Sequence, residues 1–105
     1  MSRRPHDEDP PSPAARLAAY RRDVDEIDRA VVALLARRRA VVGEMRALKA
    51  EHDLPRVDPE RERSLRAALL SEGRAHQVPD ALVEAVLDAV LADSRALVST
   101  DPERP

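Results

Sequence analysis

The sequence predicts an all-α chain of three helices, long, short and medium, and three observations lead there. Apolar residues recur at mixed spacings of three and four in three separate stretches, with no strand-like alternation. The breaks between them hold the residues that stop and start helices, His52-Asp53-Leu54-Pro55 with Asp58-Pro59, and later Pro79-Asp80. The first stretch is also too long for one small globule to cover, so the expected assembly is an intertwined helical homodimer.

The first pattern runs from about Pro13 to Ala50 and carries Leu17, Val24, Ile27, Val31, Leu34, Leu35, Val41, Val42, Met45 and Leu48. Ser12 or the flanking prolines start it. Gly43 sits inside it, at a cost of about 1 kcal/mol relative to alanine. Some 36 residues of helix extend roughly 54 Å, against roughly 25 Å for an isolated globule of this size. That overhang is what calls for a second copy. The second helix begins at Asp58-Pro59, where aspartate caps and proline suits the first turn. Its inner face is expected to hold Glu62, Leu65 and Leu69, with Gly73 closing it. The third starts around Pro79-Asp80 and runs through Leu82, Val83, Val86, Leu87, Val90, Leu91, Leu97 and Val98.

With 105 residues there is room for one domain. Residues 1–13 read as a disordered, proline-rich tail, 14–99 as the helical domain, and 100–105 as a second disordered tail. The N-terminal segment has neither an apolar core nor a small-residue cleavage pattern, so it does not read as a signal peptide. No apolar run reaches the roughly 20 residues that span a bilayer. Cysteine is absent, which excludes disulfides and thiolate chemistry and fits the cytoplasm. Eighteen basic and 20 acidic residues leave a net charge of −2, without the basic excess of a nucleic-acid binder. Tyr20 is the one aromatic residue, so the stacking platforms of single-strand binders are missing as well. The partners expected are a second copy and a small anion, not nucleic acid or membrane.

Charges set among apolar helix positions carry the functional signal, because they cost stability unless something pairs with them. Arg38 and Lys49 are eleven residues apart, three turns with a phase slip of about 20°, so they share a face. Arg21 lies 17 residues before Arg38, about 100° out of phase. One straight helix does not aim both at a single small ligand, whereas two antiparallel copies do, with Arg21 arriving from the other subunit. Against this stands the plainer reading of RRDVDEID and ARRRAV as solvated charge runs. Asp58 reads equally as a helix cap. Glu62 follows one turn later on the inner face, where a half-buried carboxylate wants a hydroxyl, an ammonium or an arginine. Arg61 either holds the loop shut or reaches a ligand carboxylate. The histidines, His6, His52 and His76, lack metal-ligand spacing, Ser94 has no histidine near it in the pattern, and no glycine-rich loop cradles phosphate. The chemistry that remains is electrostatic, with cationic donors around a small anion and no cofactor or metal.

Taken together, RRDVDEIDRAVVALLARRRAVVGEMRALK, the loop into DPERER, and ADSRAL on the last helix resemble the all-helical, AroQ-class chorismate mutases. The resemblance covers Leu17 to about Leu97 without a gap. It implies an intertwined dimer of three-helix chains with two shared active sites, each converting chorismate to prephenate by a Claisen rearrangement. It implies that Arg21 crosses from the partner subunit to a substrate carboxylate and that Arg38 binds the second. By the same resemblance Lys49 approaches the ether oxygen and Glu62 takes the ring hydroxyl. Asp58, Arg61 and Ser94 match further substrate-site positions.

One position departs from the family pattern. Where well-known members carry a glutamine or glutamate as a second donor to the ether oxygen, this chain has Val98. Losing one such donor costs roughly 3 kcal/mol, about a hundredfold in rate. Three explanations stand open: a slow mutase improved by an activating partner enzyme, compensation by Arg95 or another helix-end residue, or a related substrate. On the same fold the related activities are 4-amino-4-deoxychorismate mutase and isochorismate-pyruvate lyase. A weakly active regulatory or binding subunit and a plain coiled-coil dimer are the readings from other classes.

Overall fold

A computed structural model describes residues 9–99, with the side chains of Val98 and Ser99 outside the described set. The expected tails, 1–13 and 100–105, therefore lie largely outside the described residues. Three helices form, α1 (Pro13–Glu51), α2 (Pro59–Ala75) and α3 (Asp80–Ser99), in the expected order of long, short and medium. None of them, among the described residues, is long and apolar enough to cross a membrane.

Local chemistry explains each boundary. The Ser12 hydroxyl accepts from the Ala15 N–H at 3.1 Å, and its carbonyl accepts from Arg16 at 2.9 Å, so Ser12 caps α1 with Pro13 in the first helical position. At the other end Asp53 takes a left-handed conformation (φ 55). The Leu54 N–H then reaches the Lys49 carbonyl at 2.8 Å while the Asp53 N–H reaches Ala50 at 3.4 Å, the paired bonds of a Schellman ending. Asp58 caps α2 in an extended conformation (φ −129, ψ 91) and accepts from the Arg61 N–H at 3.0 Å, with Pro59 following it.

The end of α2 corrects one expectation. Gly73 does not close the helix, which runs on to Ala75. The left-handed residue is Gln77 (φ 60). Its N–H reaches the Arg74 carbonyl at 3.2 Å and that of Val78 reaches Gly73 at 2.8 Å. Gly73 is instead buried against α3. A Cβ placed there would stand 2.6 Å from Cγ2 of Val83, so the absent side chain lets the two helices approach.

The chain divides into two compact units, Met1–Leu34 and Leu35–Pro105. In the first, α1 displays Leu17, Val24, Ile27, Val31 and Leu34, each 48% to 61% exposed. In the second, α2 and α3 form an antiparallel hairpin held at three levels. Glu62 pairs with Arg95 at 2.6 Å, Arg66 with Asp88 at 2.7 Å, and Arg74 with Asp80 at 2.8 Å. Between the helices Leu87 is 1% exposed and Leu91 7%, the buried large apolar residues among those described. Leu65, Val83 and Val90 are half-buried, whereas Leu82 and Val86 face outward.

Candidate active site

The second half of α1 meets α3 through long arginine side chains. Arg38 Nη1 donates to the Ser94 hydroxyl at 2.6 Å and to the Val90 carbonyl at 3.2 Å. The Ser94 hydroxyl in turn donates to the Val90 carbonyl, one turn back, at 2.9 Å. Serine in a helix often makes this backward bond. Here it leaves the oxygen lone pairs to the arginine, so three groups orient one another and the Arg38 guanidinium is fixed. Eight residues further on, Arg46 Nη1 donates to the Leu97 carbonyl at 2.7 Å. That carbonyl belongs to the last turn of α3, where carbonyls lack intrahelical partners and a cation is favourable. Contacts that step forward on both helices mean that α1 and α3 run in the same direction here.

Lys49, in the last turn of α1, extends its ammonium to 3.4 Å from the Arg56 carbonyl in the connecting loop. The Schellman ending just beyond it fixes where that loop departs. Arg38 and Lys49 therefore share a face across a rise of about 16 Å.

Glu62, in the first turn of α2, is half-buried, and its Oε2 accepts from Arg95 Nη2 at 2.6 Å. Consecutive residues of α3 thus hold the two other helices: Ser94 takes Arg38 of α1, and Arg95 takes Glu62 of α2. Of the sequence candidates, Arg38, Ser94 and Glu62 are tied together through this one turn. Lys49 and Asp58 flank the loop that separates α1 from α2. Asp58 serves as the cap. Arg61 is exposed on the first turn of α2. Arg21 belongs to the first unit, where it is exposed on α1. Val98 lies in the last turn of α3 with its side chain outside the described residues.

Two residues were not singled out from the sequence as partners. Arg46 follows Arg38 by eight and precedes Lys49 by three, about 80° and 60° from them around the helix, so helical phase did not single it out. Arg95 was considered only as a substitute for the missing donor at Val98, and the structure pairs it with Glu62 at 2.6 Å. Arg39 pairs with Asp93 at 3.0 Å with both side chains well exposed, in keeping with a solvated charge. Among the described residues no three of His, Asp and Glu stand together as a metal site requires.

The assembly offers fixed cationic donors, a neutral hydroxyl and a carboxylate that is already paired. It suits orientation of an anion with more than one negative group, and stabilisation of charge that develops on it.

Residues 20–98 match the profile of the family described as chorismate mutase type II. An 80-residue stretch, 76% of this chain, is 40% identical to T-protein of Enterobacter agglomerans, of which it covers 21%. The chain thus spans about a fifth of the length of that curated relative.

Proposed function

This chain belongs to the chorismate mutase type II family, and we propose that it converts chorismate to prephenate in a site shared between two copies. The observation that carries the reading is the Arg38–Ser94 anchor on the same α1 face as Lys49. Chorismate carries two carboxylates, so it binds weakly without two cations. Arg38 takes one carboxylate, and Arg21 of a second copy takes the other. Between them the enolpyruvyl arm is held over the ring in the compact reactive geometry, which replaces a costly conformational search with binding energy.

The reaction is unimolecular. The ether C–O bond breaks ahead of full C–C bonding, and negative charge builds on the ether oxygen. The Lys49 ammonium faces that oxygen and stabilises the transition state more than the ground state, which is what acceleration requires. Glu62 accepts the ring hydroxyl, while Asp58 and Arg61 order the loop beside it. No proton moves and no covalent intermediate forms. Val98 supplies no donor, so the rate sits below that of relatives with a second donor, and an activating partner enzyme that tightens the site has room to act. A cysteine-free chain suits a reducing compartment such as the cytoplasm.

The dimer rests on the apolar side chains that α1 leaves exposed, each worth about 1.5–3 kcal/mol when fully buried. Leu17, Val24, Ile27, Val31 and Leu34 repeat along the helix, and a second copy of α1 presents the same apolar stripe. Sedimentation equilibrium at micromolar concentration should give the dimer mass, and a monomer would end this part of the proposal.

Purified chain mixed with chorismate should lower its ultraviolet absorbance and yield prephenate by chromatography. Lys49→Ala should abolish most of that turnover with helix content intact. An inactive parent chain would overturn the reading. Mixing an Arg21→Ala chain with a Lys49→Ala chain should restore activity in exchanged heterodimers, because one of the two sites then receives both intact residues. No recovery despite verified exchange would refute the shared site.

A further inference from the structure

We propose that Arg95 sets the ligand preference of Glu62, so that the site takes a ring hydroxyl and rejects a ring ammonium at the same position. This rests on the proposed mutase reading and adds to it a residue and a discrimination that the reading leaves open.

The starting point is geometric. Arg95 Nη2 stands 2.6 Å from Glu62 Oε2, with the carboxylate side chain 28% exposed. Their apposition follows from the hairpin register, because Gly73 seats against Val83 and the pairs Arg74–Asp80 and Arg66–Asp88 lie further along the same two helices. The adjacent residue, Ser94, holds Arg38. A single turn of α3 therefore fixes a carboxylate-binding arginine on one side and biases a carboxylate on the other.

A bare carboxylate accepts from a hydroxyl but pairs more strongly with an ammonium, because charge-assisted hydrogen bonds are the stronger ones. A guanidinium already bonded to that carboxylate reverses the order. It offsets the negative charge, and it places a positive charge beside any incoming ammonium. Like charges a few ångströms apart repel even where solvent reaches them. The second oxygen, Oε1, keeps lone pairs for a neutral hydroxyl donor. Arg66, one turn along α2, is engaged with Asp88 at 2.7 Å, so Arg95 is the cation paired with Glu62. Arg95 acts through Glu62, so it is a positioning residue and not a catalytic one.

The test uses the full chain and two substrates, chorismate and 4-amino-4-deoxychorismate. kcat/KM for each is measured on the parent, Arg95→Gln and Arg95→Lys, and the affinity for each is measured by calorimetry. The parent should favour chorismate. Arg95→Gln should narrow the preference by about threefold to fivefold, the scale on which a half-exposed charge pair separates ligands of different charge. The change should fall mainly on KM and Kd, and Arg95→Lys should restore the preference.

An unchanged ratio in Arg95→Gln, with helix content and Tm preserved, would overturn the proposal, as would a parent that favours the amino compound. Should the parent turn over neither compound, the mutase reading falls. The ratio of affinities still decides the role of Arg95, because binding does not need turnover. Arg95 is itself 55% exposed, and Arg95→Lys provides a second variant that keeps the positive charge.

Discussion

Replacing Gly73 with alanine tests how the α2–α3 hairpin brings Glu62 to Arg95. Inside a helix, alanine is favoured over glycine by about 1 kcal/mol. At Gly73, however, the new Cβ would lie 2.6 Å from Val83 Cγ2, well inside contact distance. Val83 is β-branched and on a helix holds essentially one rotamer, so the methyl cannot swing away and the helices must part. Overpacking of this kind costs about 1–3 kcal/mol, which leaves Gly73→Ala less stable by about 1 kcal/mol. In a Val83→Ala background the clashing methyl is gone, and the same substitution should stabilise by about 1 kcal/mol through helix propensity alone. The two effects differ by about 2 kcal/mol, a coupling expected only of residues in contact. Thermal unfolding followed by circular dichroism at one protein concentration reads the result. For a domain of this size 1 kcal/mol moves Tm by roughly 4–8 °C, down in the parent and up in the Val83→Ala background. Equal shifts in both backgrounds, or stabilisation in the parent, would refute the close approach at Gly73.

Three further outcomes follow from single contacts. Ser94→Ala removes the shorter of the two bonds that hold Arg38 and should cost about 1 kcal/mol of stability, with KM for chorismate raised several-fold and kcat changed less, as steady-state kinetics would show. Gly43→Ala should stabilise by about 1 kcal/mol in thermal melts, because a Cβ there meets nothing within 4 Å in the chain. Asp80 is held below its ordinary pKa of 3.8 by the hydrogen bond from Arg74. Its contribution to stability is therefore present above that unfolded value and lost as pH falls through the lower folded one. In urea titrations Asp80→Asn should be less stable than the parent at neutral pH and converge with it in strong acid.

Much of the fold could be read along the chain because its signals are local. Ser12-Pro13 and Asp58-Pro59 start helices through bonds to the next turn, and the shared face of Arg38 and Lys49 follows from helical phase alone. Gly73 was misread for a definite reason. Glycine near the end of a pattern usually supplies the left-handed residue, but here Gln77 takes that conformation and glycine answers a neighbour on another helix. The partners of Arg46 and Arg95 were out of reach for the same reason, since each depends on the register between two helices.

What the sequence determined by itself is therefore the three helices, their order and the signals that start them, since all of these depend on neighbours within a turn or two. Only the tertiary structure decided that Ser94 would hold Arg38, that Arg95 would take Glu62, and that Gly73 would be a point of contact. Those choices join residues 10 to 56 positions apart. Packing between helices selects such partners, and no local preference encodes it.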